Sequence, residues 1–300
     1  MEQNTFCERP RLTFEVFIPE RGEPHFKLQR TMEALGDAQP DCILATADHR
    51  HCMGLERAVE FAAEMQNDYG IPGAVLIPSI CYTRPRLQLQ LRQMQNRGIS
   101  RILAIRGDGM QPDFEHADFP GPTELIEFIR EQGKFEFVSA CFPENHPESQ
   151  GIVTDVWQLR RQAEAGAIRI LTRSFYSFRY FESVQERLHV AKVMLPMDAG
   201  ILPVLRKEAV EVLRQDFGVR LPRSFAKQLE ELQDDPQGFY EAGIQYAIEQ
   251  IRRLVAMDAP GIHIFSHSDP VLIARLSDGY RQAVADYQNG ILQLEYPRGT

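Results

Sequence analysis

The residues of this chain that could do chemistry fall in a few short stretches. Glu15 in LTFEVF is a lone carboxylate inside an apolar run. Burying it ionised would be costly, so it must turn outward, find a partner or keep its proton. A carboxylic acid that keeps its proton near neutrality is what general-acid catalysis requires. The run ILAIRGDG stops at Arg106-Gly107-Asp108-Gly109, where Asp108 could cap a helix. Gly109 and the loop through Pro122 argue against immediate helix entry. They favour a flat loop that offers backbone N–H groups and one carboxylate to a ligand. In FPENHP, from Phe142 to Pro147, prolines flank Glu144 and His146, as in a rigid loop or a site loop. Asp48, His49, His51 and Cys52 make a metal-like cluster whose spacing matches no established zinc pattern, so no metal is expected. A metal-assisted lyase or hydrolase built on His49, His51, Cys52 and His146 stays open as an alternative. Ser266-His267-Ser268-Asp269 holds the residue types of Ser-His-Asp hydrolysis, but the chain has no G-x-S-x-G, H-E-x-x-H or P-loop.

Composition narrows the classes. The 300 residues are 43% hydrophobic and 25% charged, ordinary for a globular protein, and the net charge of −9 gives no general attraction to nucleic acid or an anionic membrane. Any anionic ligand must be met by local groups. The start MEQNTFCERPRLTFE lacks a basic region followed by an apolar one, and no run approaches about 18 apolar residues. The five cysteines are scattered, with no C-x-x-C pair. A cytoplasmic protein with reduced thiols is expected, which removes the adhesion reading of Arg-Gly-Asp.

These groups need a scaffold that brings them together, and the hydrophobic pattern supplies one. Short, continuously apolar runs predict strands over Leu12–Ile18, Cys42–Thr46, Ala74–Ile77, Arg101–Ile105, Glu136–Cys141, Ile168–Thr172, within Lys192–Leu202, and over Gly261–Phe265. Helical spacing predicts helices over His25–Leu35, Leu55–Asn67, Arg86–Gln95, Thr123–Glu131, Thr154–Ala165, Phe178–Ala191, Lys207–Gln215, Arg223–Leu232, Gly238–Ala256 and Val271–Tyr287. The alternation repeats at roughly 30 residues, the length of a βα unit. No linker-like tract divides the chain, so residues 1–300 are expected to form one α/β domain, a single (β/α)8 barrel of the TIM type with extra C-terminal helices. An open doubly wound sheet is the runner-up, and no G-x-G-x-x-G follows a strand to support it. In a barrel the chemistry gathers at the C-terminal ends of the strands. Glu15, Thr46, Arg106 to Asp108, the FPENHP loop, Thr172-Arg173, Gly200 to Pro203 and the SHSD loop would then meet on one rim.

Together these pieces resemble the flavin-dependent 5,10-methylenetetrahydrofolate reductases, an eight-stranded α/β-barrel family. Phe14-Glu15-Val16-Phe17-Ile18-Pro19 resembles its FEFFPP-like first strand, Ile105-Arg106-Gly107-Asp108 its LRGD-like turn, and Phe142 to Glu148 its YPE-x-HPE loop. Asp155, Arg160, Arg161, Ala165-Gly166-Ala167 and Ala199 to Pro203 follow in the family's order. The resemblance implies that a nicotinamide (NADH or NADPH) reduces bound FAD, which then passes a hydride to the methylene group of a folate. It implies Glu15 as the acid that protonates the leaving nitrogen, and Asp108 beside flavin and pterin as a catalytic, cofactor- and substrate-binding group. It implies Thr46, Arg106, Gly107, His146, Asp155, Gln158 and Arg161 as flavin contacts and Arg173 as a folate contact. A homo-oligomer is also implied.

The chain departs from the family at Ala47-Asp48-His49, at Pro78 where a His is usual, at Phe142 for Tyr, and at Gln162 for a flavin-binding Lys. Arg173 stands for a Gln, and Asp269 for an Arg expected to meet a folate's glutamate tail. A flavin-free folate- or pterin-binding relative, or an accessory one-carbon protein, is the alternative that these departures favour.

Overall fold

The computed structural model describes residues 9–18, 25–47, 54–107, 117–144 and 151–293. Asp48, His49, His51, Cys52, Asp108 and His146 therefore lie outside the described residues. Eight parallel strands close in sequence order into a barrel: β1 (Arg11–Phe17), β2 (Cys42–Thr46), β3 (Gly73–Pro78), β4 (Arg101–Ile105), β5 (Glu136–Cys141), β6 (Ala167–Ser174), β7 (Met197–Ile201) and β8 (Gly261–Phe265). Around them run α1 (His25–Ala38), α2 (Leu55–Asp68), α3 (Arg84–Asn96), α4 (Pro122–Gln132), α5 (Ile152–Ala165), α6 (Phe178–Val190), α7 (Lys207–Phe217), α8 (Arg223–Glu231), α9 (Pro236–Ala256) and α10 (Pro270–Gln288). The extra helices of the sequence reading are α7 and α8, inserted with α9 between β7 and β8.

Alternation along each strand decides which residues meet. On β2, Ile43 and Ala45 join the large outer core under the helices. Cys42 and Leu44 instead join a smaller apolar cluster with Ala74, Leu103 and Leu171 inside the barrel. The same parity on β1 turns Leu12, Phe14 and Val16 outward into the helix layer and leaves Thr13 and Glu15 on the inner face.

Where the observed ends differ from the predicted ones, proline is the usual reason. Read as a breaker, it delays the expected helix starts, yet α4, α9 and α10 begin on Pro122, Pro236 and Pro270. The first turn has no intrahelical use for the missing N–H, so proline fits there. β6 runs on to Ser174 through a register shift against β7 between Leu171 and Ser174.

Two expectations drawn from charge and cysteine spacing meet the structure differently. Cys42 and Cys141 are free and buried, but Cys81 is disulfide-bonded. This corrects the expectation of uniformly reduced thiols. Cys81 lies in the 3-10 turn Ser79–Cys81 after β3. Among the described residues no helix is long and apolar enough to cross a membrane.

The N-terminal end of the barrel is closed by an ionic plug. Arg169 Nε lies 2.9 and 2.8 Å from the two oxygens of buried Asp198, and Arg11 Nη1 reaches the same carboxylate at 3.4 Å. Gly261 makes room for it, since a Cβ there would come within 1.8 Å of Asp198 Oδ1. Removing one partner of a buried ion pair leaves the others uncompensated. Asp198→Ala is therefore expected to lower stability by about 3 kcal/mol, the low end for such a loss because both arginines keep some contact with water. A drop in the urea midpoint without loss of helical signal in native buffer would show it; an unchanged midpoint would remove the plug from the account of stability.

Candidate active site

At the opposite end the strands open into a cavity of about 730 Å³ whose wall includes Glu15, Thr46, Arg106, Gly107, Asp155, Gln158 and Arg173. The structure thus brings together most of the described residues that the sequence nominates. Leu76, Ala104, Ile105, Ala140, Leu202 and Phe265 give the cavity a largely aliphatic floor.

Glu15 sits at this floor with its side chain 26% exposed, inside rather than outside the barrel. Thr46 Oγ1 lies 3.5 Å from Glu15 Oε1, and His263 Nε2 lies 4.0 Å from Oε2. The SHSD loop after β8 fixes the strand that carries it. Ser266 Oγ donates to the Glu15 carbonyl at 2.5 Å, and Ser268 Oγ accepts from Phe17 N and donates to Phe17 O, both at 2.9 Å. Ser268 thereby extends the β1–β8 seam by one side-chain rung. Asp269 accepts from Val271 N and Leu272 N and caps α10. The sequence reading sets Asp269 against a folate's glutamate tail; in the structure it serves the helix. No hydrolytic triad forms from these residues. His267 has positive φ and a lowered pKa, chiefly because burial disfavours its charged form and also because of Arg206, against the opposite pull of Glu15 and Asp269.

The Arg106-Gly107 turn is pinned to its neighbour. Ile80 N and Ser79 Oγ donate to the Arg106 carbonyl at 3.2 and 3.3 Å. Gly107 has φ of 98°, and a Cβ there would lie 3.0 Å from Pro78 Cβ. Glycine is thus needed both for its conformation and for the close approach of β3. Pro78, where the resemblance leads one to expect a His, packs beneath this turn instead of presenting a ligand.

On α5 the spacing Thr154/Asp155, Gln158/Leu159, Gln162 sets one face of the helix against the cavity. Gln162 is 5% exposed, and its Oε1 has no hydrogen-bond partner. Arg161 lies off that face. Its guanidinium bonds Glu124 at 3.1 Å and stacks on Trp157 at 5.1 Å, and it does not line the cavity. A base that the sequence reading did not select, Arg187 of α6, does so. Val184 and Arg187, one helical turn apart, both reach the wall, and side chains on α6 lean back towards its N-terminus and the rim.

Arg173 owes its direction to the irregularity in β6. Thr172 Oγ1 accepts from Gly200 N at 2.8 Å where a regular rung would be, and a Cβ on Gly200 would come within 2.2 Å of Thr172 O. Such bulges re-aim the side chains that follow. Arg173 lies over the ring of Phe142, 5.5 Å from its centroid. Glu144, in the same FPENHP loop, faces away from chemistry: its Oε2 accepts from Arg220 N, and burial raises its pKa.

Among the described residues no group of three or more His, Cys, Asp or Glu is placed to hold a metal.

The model of the methylenetetrahydrofolate reductase family matches residues 1–274. The 5,10-methylenetetrahydrofolate reductase of Escherichia coli (strain K12) is 24% identical over 255 residues, 85% of each chain. That of Buchnera aphidicola subsp. Acyrthosiphon pisum is 23% identical over 254 residues, 85% of this chain and 86% of the relative. Among solved structures, an uncharacterized protein from Clostridium thermocellum that binds two copies of 5-methyl-5,6,7,8-tetrahydrofolic acid is similar with a TM-score of 0.67 at 12% identity, over 92% of this chain and 95% of that one. Tryptophan synthase from M. tuberculosis gives 0.52 at 14% identity, over 91% and 93%. At such identities the structural likenesses speak for the barrel alone. The family match runs through all eight strands and past the rim loop that carries Ser266: the chain belongs to the methylenetetrahydrofolate reductase family.

Proposed function

We propose that this barrel is a flavin-linked, NAD(P)H-dependent reductase of 5,10-methylenetetrahydrofolate, forming 5-methyltetrahydrofolate. The observation that carries the reading is the position of Glu15: a carboxyl group at the apolar floor of the cavity, on a strand whose backbone the Ser266 and Ser268 hydroxyls hold in place. The residues present fit a flavin. Ala104, Ile105 and Ala140 offer a flat apolar bed. Asp155 and Gln158 along α5 suit ribityl or ribose hydroxyls, and Gln162 has a buried acceptor atom that still lacks a donor. Arg106 at the rim and Arg187 opposite α5 supply cations for a diphosphate, a task for which Arg161, engaged by Glu124, is turned the wrong way. A flavin held there would supply the hydride relay from the nicotinamide to the folate.

The protein's part is to bind, orient and protonate. Glu15 gives its proton to the nitrogen that leaves the methylene carbon, which opens the folate ring to the iminium that accepts hydride. The aromatic rings of Phe142, Phe265 and the exposed Phe17 line the same cavity as Glu15. Arg173 stands where a folate carboxylate could reach, with Asp269 withdrawn into its helix cap. Asp108, beyond the pinned Gly107, is assigned by resemblance to orient the pterin.

Three outcomes are expected. The purified protein, supplied with FAD, should show the visible bands of bound flavin and lose them on anaerobic addition of NADH or NADPH; a protein that stays colourless would favour the flavin-free relative. Glu15→Gln should still bleach with NAD(P)H but be reoxidised by methylenetetrahydrofolate at least about 100-fold more slowly, the ordinary worth of a general acid. Full folate-dependent turnover in this variant would end the acid assignment. In an FAD titration followed by fluorescence, Arg187→Ala should weaken binding roughly ten-fold or more, as expected for a charge-assisted hydrogen bond. Arg161→Ala serves as the comparison and should not weaken it; the reverse ranking would restore Arg161 to the diphosphate.

A further inference from the structure

His263 belongs to none of the motifs discussed so far, yet its Nε2 lies 4.0 Å from Glu15 Oε2. It lies on β8 opposite Thr13 in the register that closes the barrel, with its side chain 3% exposed. Nδ1 is 2.8 Å from Thr13 Oγ1, and that hydroxyl is 3.4 Å from the carbonyl of Ile262. If the hydroxyl proton goes to Ile262, its oxygen accepts from Nδ1–H, and this directed pair of bonds puts the ring proton on Nδ1. Nε2 is then a bare acceptor. It is buried, has no hydrogen-bond partner, and faces Glu15 Oε2 at 4.0 Å. The Phe265 ring, 5.1 Å away and edge-on, closes off that side. A buried lone pair facing an ionised carboxylate would be unfavourable twice over, as an unmet acceptor and as a repulsive contact. A proton on either group removes both penalties once the 4.0 Å gap closes to hydrogen-bond distance.

We propose that His263 and Glu15 exchange a single proton when the carboxyl group turns from 4.0 Å into hydrogen-bond distance of Nε2, and that His263 is the positioning residue that keeps Glu15 supplied with the proton it delivers to the folate. This rests on the reading of Glu15 as the acid. In each turnover the Glu15 O–H bond breaks as an N–H bond forms on the leaving nitrogen, and the carboxylate is left opposite Nε2. A proton from solvent then binds Nε2, giving an imidazolium–carboxylate pair, and passes from Nε2 to Oε2. One proton is consumed per cycle, matching the one that reduction by NAD(P)H requires in addition to the hydride.

The charged surroundings of the pair are defined. Arg173 from β6 faces the cavity above, and His267 lies in the loop after β8 between Arg206, Asp269 and Glu15. Below, His263 borders a second cavity of about 310 Å³ lined by Arg11, Asp41, Cys42, Arg101, Glu136, Arg169 and Asp198. Arg11 and Arg169 there are paired to Asp198, Arg101 is paired to Glu136, and burial pushes the Cys42 thiol up.

The test follows two signals in the flavin-loaded protein. In His263→Gln, retained flavin absorbance reports the fold. Reoxidation by methylenetetrahydrofolate at neutral pH should fall about ten-fold or more and recover as the pH is lowered, because the carboxyl group must then take its proton from solvent unaided. Nitrogen-15 NMR of the imidazole in the otherwise unaltered protein should show the Nδ1–H tautomer, with a titration that shifts in Glu15→Gln. A His263→Gln enzyme with an unchanged rate and pH profile would overturn the proposal, as would an imidazole titration indifferent to Glu15→Gln. The NMR arm stands even if His263→Gln does not fold. Normal folate-dependent reoxidation in Glu15→Gln would instead overturn the functional reading itself, so the two failures are distinguishable.

Discussion

A carboxyl group on the inner face of an apolar strand is tolerated only where something holds both it and the strand in place. Most of the rim of this barrel answers that constraint. Thr46 approaches one oxygen of Glu15, His263 the other, Ser266 takes the carbonyl of the same residue, and Ser268 occupies both backbone groups of Phe17 two positions on. The αL backbone at His267 and Ser268 is what bends the chain so that these hydroxyls turn towards β1. Asp269 then starts α10, whose contacts with α1 and α9 hold the loop from behind. The chemistry proposed for Glu15 is thus built on a side-chain extension of the sheet rather than on a conventional loop.

The two ends of the barrel handle charge in opposite ways. At the N-terminal end the charges are matched inward: arginines of β1 and β6 converge on one aspartate of β7, and the result is a plug. At the C-terminal end Glu15 faces a histidine, and the arginines are directed to the cavity wall. Barrel folds generally keep stability at one mouth and chemistry at the other, and here the layer containing Thr13 and His263 separates the two.

Much of this was legible in the sequence. Cys42–Thr46, Arg101–Ile105, Glu136–Cys141 and Gly261–Phe265 are strands with the ends that their apolar runs mark, because continuous apolarity bounded by polar residues is what a doubly covered strand requires. Glu15 was legible for the same reason, as the residue that breaks the pattern. His263 was not, since one polar residue in GIHIF is equally compatible with a satisfied core position. Only the inward parity shared by Gly261, His263 and Phe265, set beside that of Thr13 and Glu15, could have pointed to it. Arg161 and Gln158 both stand at plausible places in the order, and the rotation of α5 turns Gln158 to the cavity and Arg161 to Glu124 and Trp157. Arg187 lies far from any strand end and in none of the motifs that carry the family resemblance, so nothing in the sequence marks it. Asp269 looked like an inverted ligand charge because its alternative use, two backbone N–H groups at a helix start, depends on where the helix begins.

The seam that carries Glu15 also sets a schedule for making the protein. Thr13 and His263 are 250 positions apart, so β1 has no neighbour on one side until the last strand has been synthesised. At ordinary rates of translation that interval is on the order of 10–50 s. Throughout it, LTFEVF is an open β-edge on a nascent chain, the kind of segment that recruits other edges and aggregates. A negative charge in the middle of that segment is a recognised deterrent to such pairing. Glu15, at the floor of the finished barrel's cavity, is thus also the charge that interrupts this edge in the unfinished one.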